Sequence, residues 1–226
     1  NILFLQGPMG HFFRRLDHYF TSQGANTFKI GFNASDYLFS KKSNYTPYRQ
    51  KPEEWEAFVC DFLKEQAIDK IFLFGDCRFY QSIAITQAIA LDIEVFVFEE
   101  GYMRPDYITL ERYGVNDFSH ISRDPEFYKS LDLNALELHN PLPSKPNALE
   151  LFYSAVSYYL IANIFHFRYP HYQHHRGFSA VRESICGTKS AIRKQLYRFS
   201  ERDMLDDIKG VLSKRYYFVP LQTYTD

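Results

Sequence analysis

Two adjacent carboxylates follow an apolar run and precede a glycine and an arginine, a combination suited to acid–base or nucleophilic chemistry. They are Glu99, Glu100, Gly101 and Arg104 in FVFEEGYMRPDYITLE, residues 96–111. Carboxylates serve as base, acid or nucleophile, particularly in sugar transfer through an oxocarbenium-like state. Because consecutive strand residues point to opposite faces, we expect one glutamate to face a cleft and the other to anchor the loop through Arg104. An ordinary solvated loop is the alternative.

Polar and glycine residues follow three other apolar runs in the same way. These candidates are Gln6, Gly7, Gly10, Gly75, Asp76, Arg78, Gln222 and Asp226. Ligands of open α/β sheets gather at the carboxyl ends of the parallel strands. We therefore expect these residues to meet Glu99, Glu100 and Gly101 at one rim.

Some of these residues suit an anionic ligand. The loop QGPMG, residues 6–10, lets the backbone approach a ligand, and its N–H groups favour an anion together with the next helix dipole. It matches neither the G-x-G-x-x-G pattern nor a Walker loop, and a tight strand–helix turn is the alternative interpretation. Arg78 and Arg104 suit a bidentate hold on phosphate or carboxylate, or else form structural ion pairs.

Other chemistries find little support. The histidines in HFRYPHYQHHR, residues 166–176, have a loose spacing with no cysteine or acid to complete a ligand set, so we expect no metal ion and no cofactor. No serine lies in a nucleophile elbow. The odd number of distant cysteines predicts no disulfide framework and favours a reducing cytoplasm.

The secondary-structure elements that position the candidate residues alternate between strands and helices. Continuous apolar runs predict strands at residues 2–5, 27–32, 70–76 and 93–100, and helical periodicity predicts helices at 11–20, from 52 onward and at 81–92. This alternation predicts an α/β fold with a doubly wound parallel sheet. Residues 33–51 and 117–147 are predicted to be loops.

The remainder is expected to be mostly helical. Residues 151–167 carry no Lys, Arg, Asp or Glu but are too polar for a membrane span, which leaves a long packed helix or an interfacial membrane helix. Helices are expected at 179–198 and 201–214, and a strand at 216–222. Because a strand that opens a new unit should be followed by its helix, we expect the chain to be a fragment.

Charge is unevenly distributed along a chain whose net charge is −1. Residues 1–150 hold 15 Lys and Arg against 21 Asp and Glu, whereas residues 151–226 hold 11 against 6. The near-zero total gives no reason to expect nucleic-acid binding. The basic second part suits phosphate or an acidic membrane surface, or it reflects ordinary partition of charge between helices.

Four stretches resemble one family. LFLQGPMGHFFRRL, LFGDCRFY, FVFEEGYMRPDYITLE and YYFVPLQTYTD are similar, in this order, to the KpsS/LipB family of capsular polysaccharide proteins, which are bacterial β-Kdo transferases. The resemblance implies a retaining enzyme with two Rossmann-like domains in a GT-B-like plan. Residues 1–147 would form the Rossmann-like acceptor-side domain, 148–215 a basic helical continuation, and 216–226 the first strand of the donor-binding domain.

The resemblance also implies substrates and partners. The donor is CMP-Kdo and the acceptor is lysophosphatidylglycerol, which receives the first Kdo of the capsule linker at the cytoplasmic face of the inner membrane. The protein would be peripheral on that anionic surface, with a companion Kdo transferase and the capsule export complex as further partners.

Residue roles follow from the same resemblance. Asp226 corresponds to the nucleophile in a Q-x-x-x-D pattern that includes Gln222. Glu99 and Glu100 match the E-E-G motif, in which one residue orients or deprotonates the acceptor, and Asp76 takes a hydrogen-bonding role. The family's basic His-Pro motif for the CMP phosphate has no counterpart here, so this chain alone is expected to be inactive.

Two other functions remain open. A non-catalytic capsule-assembly module would bind lipid or a partner transferase without chemistry. Alternatively, another transferase of the same plan would use a different nucleotide sugar.

Overall fold

A six-stranded sheet forms the centre of the first of two compact units in the computed structural model. The structure describes residues 1–40, 44–101, 106–132, 148–174, 180–217 and 219. The first unit comprises residues 1–173 and the second residues 174–226. Arg104, Gln222 and Asp226 lie outside the described residues.

The sheet is parallel except at one edge. Its strands lie in the order β3-β2-β1-β4-β5-β6, and only β6 runs antiparallel to its neighbour, β5. The strands are β1 (Ile2–Phe4), β2 (Thr27–Gly31), β3 (Tyr45–Pro47), β4 (Lys70–Phe74), β5 (Glu94–Glu100) and β6 (Ile108–Arg112).

Helices follow the strands and also form most of the described part of the second unit. In the first unit they are α1 (Phe12–Ser22), α2 (Ala34–Leu38), α3 (Trp55–Glu65), α4 (Phe79–Ala90), α5 (Pro125–Lys129) and α6 (Ala148–Ile164). Short 3-10 turns lie at Pro52–Glu54, Asn116–Phe118 and His166–Arg168. The second unit contains α7 (Ala180–Ser200) and α8 (Met204–Lys209).

Both faces of the sheet are covered, which explains why the central strands are apolar throughout. Val95 and Val97 on β5 belong to the core that includes α3 and α4. Phe98, which points the other way, packs in a second cluster with Phe13 of α1. A parallel sheet with helices on both faces confirms the predicted doubly wound α/β fold and matches a Rossmann-like half of a GT-B plan.

Trp55, the single tryptophan, lies fully buried at the start of α3. Its indole N–H donates a 3.0 Å hydrogen bond to the carbonyl oxygen of Tyr80 in α4. The Tyr80 ring stacks against that of Phe32 at 4.1 Å and lies nearly parallel to that of Tyr172 at 6.2 Å between centroids. This column of rings joins the core to the carboxyl edge of the sheet.

The prediction of a loop over residues 33–51 is wrong in part, because α2 and β3 lie there. Asn33 caps α2 by accepting the N–H groups of Ser35 and Asp36 at 2.9 and 3.0 Å, while the Asp36 carboxylate accepts the N–H of Asn33. This reciprocal capping box offsets the unpaired N–H groups of a short helix. The Asn-x-x-Asp spacing in the sequence is a signal from which the start of α2 could have been predicted.

Other differences occur at weakly patterned elements. The predicted loop at 117–147 contains α5, whose N-cap Asp124 accepts the N–H of Glu126 at 3.0 Å, and β6 was not predicted. The helix expected at 201–214 is limited to α8, whereas those expected at 151–167 and 179–198 correspond to α6 and α7. The strand expected at 216–222 lies mostly outside the described residues and stays a prediction.

Candidate functional site

The strand order reverses between β1 and β4, and this is the position at which doubly wound sheets form a ligand crevice. The parallel register aligns Ile2 with Lys70 and Lys70 with Glu94. The carboxyl ends of β1, β4 and β5 therefore lie at one edge, which we call the rim. The loops that begin at Gln6, Gly75 and Gly101 all leave from it.

Glu99 and Glu100 are the last two residues of β5 and differ in exposure. Glu99 continues the face formed by Val95 and Val97, is half-buried, and accepts the N–H of Glu100 through Oε1 at 2.9 Å. Glu100 is exposed and belongs to the opposite face. Glu99 thus holds the strand end, while Glu100 presents its carboxylate at the surface of the rim.

Gly75 and Arg78 lie beside Glu99. Gly75 has a φ of +72°, and a Cβ there would lie 3.4 Å from Arg78 Nε and 3.8 Å from Glu99 Oε2. The Arg78 guanidinium carbon lies 5.9 Å from the centre of the Phe74 ring, a cation–π arrangement. The structure therefore gathers Gly75, Arg78 and Glu99 at the point where β4 and β5 end.

Arg78 is also the N-cap of α4, and its side chain makes no capping hydrogen bond. The first turn of α4 contains no acidic residue, so the positive end of the helix dipole has no counter-charge on its own helix, and the carboxylate that the structure places beside it is that of Glu99 on β5. A guanidinium at a helix N-terminus favours an anionic substrate group at this position.

Asp76, the next residue after Gly75, is buried. Its Oδ2 accepts the backbone N–H of Val115 at 2.7 Å, which holds the segment after β6 against the end of β4. The structure therefore gives Asp76 a hydrogen-bonding contact within the protein, and a direct part in catalysis stays a prediction.

The loop glycines have steric reasons to be glycine. A Cβ on Gly7 would lie 2.6 Å from Phe13 Cδ2, and one on Gly101 would lie 2.0 Å from the carbonyl oxygen of Tyr107. Gly10 has a φ of +111°, which L-residues rarely adopt. These glycines shape the rim loops, and their contact with a substrate stays a prediction.

A buried polar network that no local sequence pattern predicts lies around Gln6. The Gln6 amide nitrogen lies 3.1 Å from Asp36 Oδ2, 3.0 Å from the hydroxyl of Tyr158 in α6, and 3.1 Å from the Tyr172 hydroxyl. The Tyr158 hydroxyl also accepts from Asn33 Nδ2 at 2.7 Å and donates to Asp36 Oδ1 at 3.2 Å. These contacts fix the Gln6 side chain and dock α6 onto the rim.

Burial dominates the electrostatics of this network. It raises the pKa of the Asp36 carboxyl above its ordinary value, although Lys29 and the N–H groups of Phe32 and Asn33 oppose the shift. Burial also raises the pKa of the Tyr158 hydroxyl, and the nearby Asp36 adds to that effect. The same burial lowers the pKa of Lys29, because a low dielectric disfavours its charged form.

The described part of the chain lacks two kinds of feature. Among those residues, no group of three or more His, Cys, Asp or Glu side chains has the arrangement of a metal site. None of the described helices combines the length and apolar character that crossing a bilayer requires.

Comparison with known proteins gives consistent matches. The sequence pattern of the family described as capsule polysaccharide biosynthesis protein matches residues 69–226. The chain is 37% identical over 225 residues to the capsule polysaccharide export protein KpsS of Escherichia coli, covering 99% of this chain and 57% of KpsS. It is 32% identical over 232 residues to the capsule polysaccharide modification protein LipB of Neisseria meningitidis serogroup A, covering all of this chain and 55% of LipB. The chain thus spans just over half the length of these curated relatives.

Proposed function

This chain belongs to the capsule polysaccharide biosynthesis family, and from that membership we propose that it forms the acceptor-side part of a retaining glycosyltransferase. The proposed reaction moves Kdo from CMP-Kdo to lysophosphatidylglycerol and so begins the β-Kdo linker of the capsule. The observation that carries the proposal is the E-E-G motif at the end of β5, which lies beside Gly75 and Arg78 next to the reversal of strand order between β1 and β4.

The exposure of the two glutamates suggests how they divide their roles. Glu100, exposed at the rim, orients the acceptor hydroxyl and accepts its proton. Glu99, which accepts the N–H of Glu100, positions the strand end. Arg78 at the N-terminus of α4 and Arg104 hold anionic groups of the substrates.

The proposed chemistry is a double displacement. A carboxylate oxygen of Asp226 forms a bond to the anomeric carbon of Kdo while the bond to the CMP phosphate oxygen breaks, and its electron pair leaves with CMP. The acceptor hydroxyl oxygen then attacks the same carbon, its proton passes to Glu100, and the bond to Asp226 breaks to restore the carboxylate. Two inversions at one carbon give net retention.

The proposed organisation assigns residues 1–147 to the acceptor-side domain, 148–215 to its basic helical continuation and 216–226 to the first strand of the donor-binding domain. Tyr158 of α6 supports a close association between the first two segments, because it bonds to Gln6 and Asp36. We place the protein at the cytoplasmic face of the inner membrane, with segment 151–198 meeting anionic lipid. A companion Kdo transferase and the export complex are the proposed partners.

The test uses a chimera in which this chain replaces the matched residues of E. coli KpsS. CMP release from CMP-Kdo is measured with lysophosphatidylglycerol as acceptor. Removal of the base in Glu100→Gln should slow release by about 10²–10⁴-fold, whereas Glu65→Gln, an exposed change on α3, should have no effect. Intact-mass analysis should show a covalent Kdo adduct accumulating in Glu100→Gln and none in Asp226→Asn.

The outcomes separate the three functions. Capsule assembly that survives both Glu100→Gln and Asp226→Asn would identify a non-catalytic module. A chimera that ignores CMP-Kdo but consumes another nucleotide sugar would keep the fold plan and overturn the proposed donor.

A further inference from the structure

The side-chain amide of Gln6 is bonded at one end only. Among the described residues, its hydrogen bonds all run through the nitrogen, Nε2, which lies 3.1 Å from Asp36 Oδ2 and 3.0 Å from the Tyr158 hydroxyl. The carbonyl oxygen, Oε1, is not one of the buried side-chain atoms without a partner, which in that part of the chain are Asp17 Oδ2 and Gln81 Nε2. This oxygen is therefore the accessible part of a side chain that is otherwise buried.

The partners of Gln6 fix which way its amide points. The Tyr158 hydroxyl donates its single proton to Asp36 Oδ1 at 3.2 Å and accepts from Asn33 Nδ2 at 2.7 Å. Towards Gln6 it can therefore act only as an acceptor. Asp36 Oδ2 likewise accepts the N–H groups of Phe32 and Asn33 at 2.8 and 3.2 Å. Acceptors on the inner side require the amide nitrogen there, which directs Oε1 away from the network.

Arg78 brings a positive charge close to Gln6. Phe4 of β1 is paired with Phe72 of β4. Two residues further along, Gln6 comes level with Phe74, and adjacent strands lie about 5 Å apart. The Arg78 guanidinium carbon lies 5.9 Å from the centre of the Phe74 ring. The guanidinium is thus held over the neighbour of Gln6 on the adjacent strand.

Tyr172 lies between the two groups. Its hydroxyl lies 3.1 Å from Gln6 Nε2. Burial raises the pKa of this hydroxyl and the charge of Asp36 adds to the effect, whereas the positive charge of Arg78 opposes it. An acceptor oxygen and a guanidinium in such proximity suit a small ligand that carries a hydroxyl next to an anionic group.

We propose that Gln6 is a specificity-determining residue whose Oε1 accepts a hydrogen bond from a hydroxyl of a glycerol phosphate headgroup, while Arg78 pairs with the phosphate. Asp36 and Tyr158 are positioning residues that act through Gln6. The inference rests on the proposed function and deepens it, because that function assigns the lipid acceptor to this part of the chain. A site built to bond a hydroxyl rejects an analogue that lacks one, because the acceptor of the site is then left unpaired.

Calorimetry with the 226-residue chain tests Gln6 without any sugar donor. The probes are glycerol 3-phosphate and propyl phosphate, which has the same carbon chain and phosphate but no hydroxyl. The parent chain should bind glycerol 3-phosphate about two- to tenfold more tightly. Gln6→Met keeps the length of the side chain without its amide and should bind both probes equally. Gln23→Met, at an exposed glutamine that follows α1, should keep the preference.

The same preference tests the positioning residues. Tyr158→Phe and Asp36→Asn should abolish the preference and leave the binding of propyl phosphate unchanged, because the phosphate contact does not depend on the amide. Tyr153→Phe, at a residue of the same helix that is 67% exposed, should behave like the parent chain. A purely structural role would weaken the binding of both probes alike, and that result would overturn the assignment. Circular dichroism establishes folding, and if Asp36→Asn does not fold, Tyr158→Phe decides the outcome.

Two further results would contradict the proposal. A parent chain that binds neither probe, or binds both equally, does not have the proposed hydroxyl acceptor. Free Kdo, which carries hydroxyls and a carboxylate, is titrated in parallel. If Gln6→Met weakens the binding of Kdo and leaves that of glycerol 3-phosphate unchanged, Gln6 recognises the sugar acid instead of the headgroup and the proposal fails.

The chimera with E. coli KpsS separates this inference from the proposed function. A preference for glycerol 3-phosphate without any CMP release by the chimera would retain the role of Gln6 and remove the proposed function. CMP release that depends on Glu100, together with a Gln6→Met variant that keeps the preference, would do the opposite.

Discussion

The Asp36 carboxylate is buried beneath the rim and accepts hydrogen bonds through both oxygens. Burial raises its pKa, so the folded protein retains a proton at pH values where the unfolded carboxyl, with an ordinary value of 3.8, has lost it. The stability that Asp36 contributes is therefore full below that value and is lost as the pH rises through the raised pKa of the folded state.

Asp36→Asn should remove this pH dependence. The free energy of unfolding of the parent chain, minus that of the variant, should shrink as the pH rises from about 4 to about 7. Urea unfolding across this range measures it. Asp61→Asn, an exposed change on α3, serves as the control, and parallel pH profiles for the parent chain and Asp36→Asn would contradict the argument.

Gly7→Ala should destabilise the fold by about 1–3 kcal/mol, because its Cβ would overlap the buried Phe13 ring. Gly187→Ala is the matched comparison, because a Cβ there meets nothing within 4 Å. Since Gly187 lies inside α7, alanine should stabilise that helix by about 0.5–1 kcal/mol. Urea unfolding followed by circular dichroism distinguishes the two, and a fully stable Gly7→Ala variant would show that the loop relaxes freely.

At the scale of elements, α6 is held to the sheet through polar contacts as well as packing. The Tyr158 hydroxyl joins residues that are 122 to 152 positions away in the sequence. Removing it leaves buried amide groups of Gln6 and Asn33 short of an acceptor, which costs more than the lost bonds themselves.

Tyr158→Phe should lower the free energy of unfolding by about 1–3 kcal/mol. The ring and its stacking on Phe39 remain, so the effect isolates the hydroxyl. Hydrogen exchange should show faster exchange of α6 amides. Tyr153→Phe, at a residue of the same helix that is 67% exposed, should change neither measurement, and equal effects in the two variants would show that the network is not specific.

The elements predicted correctly are those with strong local patterns. Strands β1, β2, β4 and β5 are buried on both faces and appear as apolar runs. In contrast, β3 has three half-buried residues and β6 is an edge strand with exposed Ile108 and Leu110, so neither shows the usual burial pattern. Both strands lie at an edge of the sheet, and this position explains why their burial differs from that of the central strands.

The rim residues that come directly after strands could be predicted from the sequence. Those that are brought together by contacts between distant parts of the chain could not. The gathering of Gly75, Arg78 and Glu99 follows from the parallel register. The Gln6 network joins residues up to 166 positions apart, and no local pattern indicates that pairing.

At the scale of the whole molecule, the net charge of −1 means that no global field draws the chain to an anionic surface. Binding of the proposed lipid-contacting segment, 151–198, to phosphatidylglycerol vesicles should therefore depend on local charge and not on the overall charge. Screening acts over about 10 Å at 0.1 M salt, so raising the salt concentration should weaken flotation of the parent chain steeply. A flotation yield that stays constant as the salt concentration rises would contradict a local electrostatic contact.

The column of rings under the rim gives the protein an intrinsic optical probe. Trp55 is the sole indole fluorophore, and its N–H bonds to Tyr80, whose ring faces that of Tyr172. The Tyr172 hydroxyl in turn lies within hydrogen-bonding distance of Gln6. A ligand that displaces Gln6 would shift this column and change the emission wavelength or quenching of Trp55, so occupancy of the rim can be titrated by fluorescence without a label or a turnover assay.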